Sequence, residues 1–439
     1  MMLTDFKDKM LHENLSVNES GHLCIGGADT VELAKKYSTP LYVIDEDQIR
    51  KNVRTYINAI KESFGGGMAL FASKALSFTE LYRIIASEGM GIDVVSSGEL
   101  FTAINAGFPL EKAFFHGNNK TYNDIEFAIK NGIGYFVVDN TEELDDINDI
   151  AKRYGIRQRI LLRITPGIDP HTHAKISTGG VDSKFGSAIA TGQAEEICRY
   201  ALSLDSVKLD GFHCHVGSQI FESTPFCDAA DIMLEFIANV KSSLGYEARI
   251  LNLGGGFGVR YVESDPELDC AATIKELAEH IKLQCERFGI KRPTILLEPG
   301  RSIVANAGLT LYTVGSVKEI CGYKTYVSVD GGMPDNPRYA LYQSAYTALV
   351  ANKATEKREL LCSIAGRCCE SGDLIAENIC IQKARKNDIL AVLVTGAYNY
   401  SMASNYNRLP RPPIVIVKDG EDRIGVARES LEHLVALDI

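Results

Sequence analysis

Eight short apolar runs recur between Met68 and Leu297, and each is followed by a polar or glycine-rich step and then by a segment with helix-like spacing. The runs show little alternation, which is typical of strands buried on both faces of a parallel sheet. They are Met68 to Ser73, Ile92 to Val95, Ala113 to Phe115, Tyr135 to Val138, Ile160 to Ile164, Gly211 to Cys214, Ile250 to Leu253 and Thr294 to Leu297. Eight strand–helix units are the number that closes a barrel, so the sequence predicts a (β/α)8 TIM barrel.

The residues that follow these runs are chemically reactive or glycine-rich. They are Lys74, Ser96-Ser97, His116, Asp139, Thr165, His215, Gly254-Gly255-Gly256 and Glu298. In such barrels the chemistry takes place at the carboxyl ends of the strands. A purely structural repeat gives no reason to place reactive groups at this one position, so we expect a functional site there.

From about residue 308 turn signals rather than long helices separate the apolar runs, as between Leu311–Val314 and Thr325–Val329. Asp419-Gly420 before Arg423–Val426 indicates a short hairpin. This pattern predicts a mainly β second domain that ends in a helix near 428–437. We expect residues 1–44 to join it, which gives 1–44 and 308–439 for the β domain and 45–307 for the barrel.

Charge and composition exclude several classes of protein. The 439 residues carry 46 Lys+Arg against 57 Asp+Glu, a net charge of −11, whereas nucleic-acid and anionic-membrane surfaces need concentrated positive charge. No apolar run approaches the ~20 residues that span a bilayer, and the N-terminus has no apolar signal core. The 11 cysteines form no CxxC pair, which argues against a disulfide framework or a zinc ribbon. We expect a cytoplasmic enzyme with a small-molecule substrate.

Two loops indicate a phosphate site. Gly254 to Gly258 follows the seventh run and Glu298-Pro299-Gly300-Arg301 follows the eighth, where barrels commonly bind phosphate. Glycine lets the backbone cradle an anion, although the same glycines also fit a plain tight turn. Arg301 adds a fixed positive fork. Glu298 would repel a phosphate, so it must face another group, and a protonated ring nitrogen is suitable.

Lys74 ends the first run in the apolar context Phe71-Ala72-Ser73-Lys74-Ala75. Partial desolvation there would lower its pKa and prepare an amine nucleophile, whereas a lone lysine of this kind is more often a snorkelling side chain. A strand-end lysine, a phosphate cradle and a strand-end carboxylate together are the contacts that pyridoxal phosphate requires.

Two histidine pairs and one cysteine pair leave alternatives open. His213 and His215 share one face of a strand and fit a metal pair, core histidines or a ring-stacking residue. No ligand set has zincin spacing, so we predict no metal and favour ring stacking. His171-Thr172-His173 lies in a loop, where we expect a positioning role. Cys368-Cys369 fits either a buried pair or a thiol proton donor.

The chain resembles the fold-type III pyridoxal-phosphate-dependent decarboxylases from Leu41 to about Pro413. The motifs that carry the resemblance are FASKAL, GIDVVSSGEL, FHGNNK, LLRITPGIDPHTHAKISTG, DSKFG, HCHVGSQI, LNLGGGFG, LLEPGRSIV, VDGGM, DNPRYALY, CCESGD, GAY and SMASNYN. The resemblance implies pyridoxal 5'-phosphate as the cofactor and a homodimer whose active sites are shared across the interface.

The resemblance also implies a role for each matching residue. The expected catalytic residues are Lys74, which bonds covalently to the cofactor, Cys369, His215 and Glu298. The remaining cofactor contacts implied are Ser218, Gly254, Gly255, Gly256, Gly300, Arg301 and Tyr398. The substrate contacts implied are Arg301, Arg338, Tyr342, Glu370 and Tyr398. Cys369, the expected proton donor, would come from the partner subunit.

The implied reaction is decarboxylation of meso-2,6-diaminopimelate to L-lysine and CO2, the last step of lysine biosynthesis. The alternative is another basic amino acid, such as ornithine, arginine or carboxynorspermidine. Glu298 argues against a racemase, because an arginine at this position would favour that activity. The presence of Lys74 and Cys369 argues against a regulatory protein that has no cofactor. Tyr339 and Arg367-Cys368 depart from the family pattern at positions that could alter substrate fit.

Overall fold

A computed structural model describes residues 10–167 and 184–439. The chain divides into two compact units. The first, here called the barrel unit, comprises residues 53–258 and 267–300, and the second, called the β unit, comprises 10–52, 259–266 and 301–439 of the described part. The domain limits expected from the sequence are close to these but stay a prediction.

Eight parallel strands of the described chain close into a barrel, which confirms the predicted fold class. They are Gly67–Ala72, Gly91–Val94, Ala113–Phe115, Tyr135–Val138, Gln158–Thr165, Val207–His213, Ile250–Asn252 and Thr294–Leu297. The last strand pairs with the first, Ile295 opposite Gly67, and this pairing closes the ring. The strand ends differ from the predicted runs by up to four residues, most at Val207, because polar residues there lie in the strand.

One helix of the barrel unit precedes the first barrel strand, and each of the others follows a strand, as the spacing predicts. They are Glu46–Phe64, which begins in the β unit, then Thr79–Ser87, Ser97–Ala106, Tyr122–Lys130, Thr141–Arg153, Gln193–Ser203, Thr224–Leu244 and Cys270–Phe288. Ser96 caps its helix by accepting from Glu99 N, and Asn140 accepts from Glu143 N. These caps fix where each loop ends and its helix begins, and so hold the strand-end loops in place.

Packed side chains fill part of the barrel interior. Leu70, Phe114, Tyr135, Leu161 and Leu296 form a buried cluster with Val137. The rings of Phe114 and Tyr135 stack with centroids 4.5 Å apart. This packed floor provides a rigid base for the residues at the carboxyl ends of the strands.

The β unit is built on a mixed sheet. Its strands are Leu41–Asp45, Gly308–Ile320, Lys324–Val329, Ala348–Val350, Arg358–Ala365, Leu374–Gln382, Ile389–Leu393, Ile414–Lys418 and Glu421–Val426. The strand Leu41–Asp45 lies between Gly308–Ile320 and Ile414–Lys418. Leu41–Asp45, near the start of the chain, therefore pairs with strands from its C-terminal part.

Smaller elements complete the β unit. A three-stranded sheet of Leu15–Val17, Leu23–Ile25 and Ala28–Asp29 precedes the helix Thr30–Tyr37, and the short helices are Arg301–Val304, Arg338–Tyr342 and Leu431–Val435. The predicted hairpin is present, with Asp419 and Gly420 both at positive φ. The C-terminal helix, predicted over 428–437, is shorter and spans Leu431–Val435, and it begins at Leu431 because Ser430 is its N-cap. No helix of the described residues is both long and apolar enough to cross a bilayer.

Candidate active site

The two units divide the predicted site residues between them. Lys74, His215, Ser218, Gly254 to Gly256, Glu298 and Gly300 belong to the barrel unit, whereas Arg301, Arg338, Tyr342, Cys369, Glu370 and Tyr398 belong to the β unit. His171 and His173 lie outside the described residues.

Lys74 lies on a single 3-10 turn, Ser73–Ala75, directly after the first barrel strand. Its side chain is exposed, so the desolvation expected from its apolar neighbours in sequence is wrong: those neighbours point into the core while the turn carries the lysine outward. Its charge acts on buried neighbours. Burial raises the pKa of Asp93 and, to about 7, that of Glu99, and the charge of Lys74 counteracts both shifts.

Glu298 follows the eighth strand with only 7% of its surface exposed. Asn252 donates from Nδ2 to Oε1 at 2.7 Å, and His116 Nε2 lies 2.9 Å from the same oxygen, although off the line of a hydrogen bond. His213 Nε2 lies 3.3 Å from Oε2. Burial alone would raise the pKa of Glu298, but the two histidines hold it well below its usual range. The group is therefore a buried anion.

The glycine loop is pressed against the loops on either side of it. A Cβ on Gly255 would lie 2.1 Å from the carbonyl oxygen of Glu298, and one on Gly256 would lie 2.4 Å from that of Gly217. Gly254 has φ +71°, a conformation that favours glycine. Glu298 N donates to Gly254 O at 2.8 Å. Only glycine fits here, which leaves bare backbone at the surface that the sequence assigned to phosphate.

The sequence predicted His213 and His215 on one face of a strand, but the strand ends at His213 and His215 lies in the loop after it, so the two rings have different surroundings. His213 ends the sixth strand and packs edge-on against His116, with ring centroids 4.9 Å apart. His215 Nδ1 accepts from Gly255 N at 3.3 Å, and burial, followed by the charge of Lys74, lowers the pKa of His215 well below its usual value. His215 is therefore an uncharged ring next to the glycine loop. Ser218, further along this loop, is half-buried.

A metal ion is the obvious alternative for this cluster. His116, His213 and Glu298 offer ligand atoms within 4.8 Å of one another. However, Glu298 Oε1 already accepts from Asn252, and Oε2 lies 3.3 Å from His213 Nε2, within hydrogen-bond distance. We therefore interpret the set as a hydrogen-bonded carboxylate. The prediction of no metal stays a prediction.

The residues of the barrel unit fit pyridoxal phosphate on three counts. Glu298 is an ionised carboxylate suited to a ring N–H, the Gly254–Gly256 loop leaves no room for a side chain beside an anion, and Lys74 presents an exposed amine. Ser73 Oγ and Asp93 Oδ1 are also buried without a hydrogen-bond partner among the described residues. Buried polar groups of this kind are uncommon in proteins, and Ser73 is the residue directly before Lys74.

Lys120, from the FHGNNK motif, braces two of the strand-end loops. Its Nζ donates to Glu143 Oε1 at 2.7 Å, to Val137 O at 2.8 Å and to Gly117 O at 2.9 Å. The side chains of Lys120 and Glu143 are 1% and 2% exposed. Burial lowers the pKa of Lys120, and the adjacent Glu143 charge opposes that shift.

Replacing Lys120 by methionine should lower the free energy of unfolding by about 3–5 kcal/mol, because it leaves the Glu143 carboxylate buried and unpaired. Urea denaturation followed by circular dichroism measures the change. The matched control is Arg199→Met, which breaks the exposed pair with Glu195 and should change stability by less than about 1 kcal/mol. Equal small losses in both variants would contradict the bracing role.

Two arginines of the β unit converge on buried tyrosines. Arg301 NH1 donates to the hydroxyl of Tyr261 at 2.9 Å, and Arg338 NH1 donates to that of Tyr346 at 2.9 Å. The guanidinium carbons lie 5.8 and 4.7 Å from the centre of the Tyr261 ring. Burial would raise the pKa of Tyr261, but the two cations lower it. The arrangement fixes two planar cations in place.

The other residues assigned to substrate lie on nearby parts of the same unit. The Arg301 guanidinium lies 4.9 Å from the centre of the Tyr398 ring, and Tyr342, half-buried, ends the helix that begins at Arg338. Tyr339, one of the residues that depart from the family pattern, donates its hydroxyl to the carboxylate of Glu377. The hydrogen bonds described above for Arg301 and Arg338 do not involve Tyr339.

Cys369 and Glu370 are exposed on a tight loop, 366–373. Cys369 N donates to Asn407 Oδ1 at 2.9 Å, and Tyr406 lies within 3.5 Å of Glu370 Oε2. Asp373 closes the loop by accepting from Cys368 N at 2.7 Å. Burial and the Asp373 charge raise the pKa of Cys368 to about 12, so this thiol stays protonated.

Sequence reasoning missed Asp93, Asn252, Tyr261 and Tyr346. Asp93 and Asn252 are polar residues inside apolar strand runs, and that interruption is the signal that would have found them. Tyr261 and Tyr346 lie in loops with no spacing signal, and only the fold brings them to the arginines.

Comparisons with known proteins agree with this geometry. Residues 49–305 match the family described as pyridoxal-dependent decarboxylase, pyridoxal binding domain. Diaminopimelate decarboxylase of Bacillus methanolicus is 48% identical over 97% of this chain and 99% of its own length, and that of Bacillus subtilis is 45% identical over 98% of each. The structure of the M. jannaschii diaminopimelate decarboxylase with L-lysine has a TM-score of 0.90 at 36% identity, covering 98% of this chain and 99% of that one. The chain therefore belongs to the pyridoxal-dependent decarboxylases, and within them to the diaminopimelate decarboxylase family.

Proposed function

We propose that this chain is a carboxy-lyase that decarboxylates meso-2,6-diaminopimelate to L-lysine and CO2. The observation that carries the proposal is Glu298, a buried carboxylate that its neighbours keep ionised at the end of the eighth strand. The relatives named above carry out this reaction by name, and one relative was solved with L-lysine bound.

The barrel unit would hold the cofactor. When bound, pyridoxal phosphate supplies a cationic conjugated ring that accepts the electron pair left on Cα as CO2 departs. Lys74 would bind its aldehyde carbon, and Glu298 would hold a proton on its ring nitrogen. His215, uncharged, would stack on the ring, while Gly254 to Gly256, Ser218 and Gly300 would contact the phosphate.

The β unit supplies charges that suit a substrate with two amino-acid ends. Arg301 and Arg338 offer planar forks for carboxylate, with Tyr342 and Tyr398 beside them, and Arg338 is preorganised by Tyr346 and by Ser344. Glu370 offers a carboxylate for the distal ammonium. Ornithine and arginine have no second carboxylate, so a fixed cation for the distal end favours diaminopimelate over them. Binding at this remote end would orient the bond that breaks.

We also propose a cytoplasmic homodimer. Cys369, exposed on its loop, would act as proton donor in the active site of the partner subunit. All 11 cysteines are free thiols, which is typical of a reducing compartment.

The decisive experiment is product analysis on a panel of substrates. The holoenzyme is supplied with meso-diaminopimelate, its LL isomer, ornithine, arginine and carboxynorspermidine, and CO2 release and amine products are measured. We expect L-lysine from the meso compound, with kcat/KM at least ~100-fold above each competitor, because buried charges left unpaired by the wrong substrate are costly. Faster turnover of ornithine, arginine or carboxynorspermidine would replace diaminopimelate as the assigned substrate.

A further inference from the structure

Four barrel strands converge on one carboxylate. His116, His213 and Asn252 come from the ends of the third, sixth and seventh strands, and each contacts Glu298 after the eighth. All four side chains are buried. A carboxylate that only faced a ring nitrogen would not need three buried polar neighbours. The role of these three side chains therefore has to be explained separately.

The proton on His213 can be assigned from its surroundings. Burial lowers the pKa of His213 to about 4, so the ring is neutral and carries one proton near pH 7. Its Nε2 lies 3.3 Å from Glu298 Oε2, whereas its Nδ1 is buried without a hydrogen-bond partner in the described parts of the chain. A proton on Nδ1 would leave two lone pairs facing each other. His213 therefore donates from Nε2 to Glu298.

The orientation of Asn252 is equally constrained. Its Nδ2 donates to Glu298 Oε1 at 2.7 Å, and its Oδ1 accepts from Gly254 N at 2.9 Å. Turning the amide over would set oxygen against oxygen and N–H against N–H. One fully buried amide thus connects the glycine loop to the carboxylate, and Glu298 receives donors on both of its oxygens.

These donors decide the charge of the carboxylate. A carboxyl group this deeply buried tends to take up a proton, and N–H donors oppose that tendency by favouring the anion. A protonated Glu298 would no longer hold a proton on a ring nitrogen facing it. Other titratable groups whose charges act on this cluster are Lys74, Asp93, Glu99, Asp139, Arg163, Cys214 and His215.

We infer that His213 and Asn252 are positioning residues that keep Glu298 ionised and oriented, so that the ring nitrogen of the bound cofactor stays protonated. This inference rests on the proposed role of Glu298. In this role His213 and Asn252 act through Glu298, which both of them contact.

The test reads the ring nitrogen directly. Each holoenzyme is loaded with pyridoxal phosphate labelled with 15N in the ring, and its 15N NMR signal is recorded without substrate. In His213→Phe, which keeps a ring against His116 but removes the donor, the signal should move toward that of unprotonated pyridine. His213→Gln, which retains an N–H donor, should restore most of the wild-type signal.

Kinetics give the second readout. Loss of one donor to a buried anion should lower kcat roughly 10- to 100-fold while KM changes less than about 3-fold. The matched control is His280→Phe, because His280 also pairs with a carboxylate, Asp231, but on the helices outside the barrel. This control should leave the signal and kcat unchanged.

The outcomes separate this inference from the proposed function. If Glu298→Gln moves the 15N signal but His213→Phe and Asn252→Leu do not, Glu298 faces the ring and the positioning role is wrong. If Glu298→Gln also leaves the signal in place, the proposed contact between Glu298 and the ring is wrong as well. Asn252→Leu serves as the second variant should His213→Phe not fold, and a signal that it leaves unmoved equally overturns the inference.

Discussion

Lys74→Ala is expected to lose at least ~1,000-fold in kcat, because it removes the amine proposed to bond covalently to the cofactor, and loss of such a covalent group commonly costs at least that much. The residue lies on a one-turn 3-10 segment after the first strand, with its side chain exposed. Alanine is compatible with the turn and removes the side chain beyond Cβ, including the amine. The fold and the phosphate contacts should therefore survive, and the cofactor should bind without a covalent bond.

Three measurements establish that result. Borohydride treatment of the wild-type holoenzyme should replace its visible absorption by a near-ultraviolet absorption that stays with the protein after denaturation, and mass spectrometry should place the cofactor on the peptide that contains Lys74. In Lys74→Ala, denaturation should release all of the cofactor. Lys112→Ala, a lysine that ends another 3-10 turn of the same unit, is the control and should behave as wild type. A Lys74→Ala enzyme with near-normal turnover would remove the assignment.

The barrel could be predicted because its pattern is local. Each apolar run is short, lacks alternation and ends at a polar residue, so the eight strands were found with small errors in their ends. The N-terminal boundary of the last helix was predicted wrongly, because a single N-cap residue, Ser430, sets where that helix begins. Fold class followed from many repeated signals, whereas element ends depend on individual hydrogen bonds.

The surroundings of the site residues were harder to predict. The apolar neighbours of Lys74 in sequence suggested burial, but a turn after the strand sends its side chain outward. Asn252 and His116 are far apart in sequence, and only barrel closure brings both to Glu298. The sequence therefore predicted which groups would carry the chemistry, and the fold was needed to show which of them are buried and which residues surround Glu298.

Cys369→Ala should lower kcat by roughly 100- to 10,000-fold, the usual effect of removing a positioned acid, while the affinity for pyridoxal phosphate changes little. Cys369 lies exposed on the 366–373 loop of the β unit, and its expected role is proton donation rather than contact with the cofactor. Fluorescence titration of the apoenzyme with pyridoxal phosphate and steady-state kinetics measure the two quantities. A variant that loses the cofactor instead would make Cys369 structural.

Cys368→Ala is the matched control, since it removes the adjacent thiol, whose pKa of about 12 makes it a poor donor near neutral pH. Its kcat should stay within a few fold of wild type. Equal losses in the two variants would indicate that the loop, rather than the thiol of Cys369, had been damaged.

Mixing the two inactive variants tests whether the site is shared. If Cys369 acts in the active site of the partner subunit, a hybrid dimer of Lys74→Ala with Cys369→Ala contains one site with both groups intact. Random exchange makes half of the dimers hybrids, so about a quarter of wild-type activity should return. Affinity tags on the two variants show that subunits have exchanged. If tagged hybrids form and remain inactive, Lys74 and Cys369 of a single subunit must work together, and the shared site is wrong.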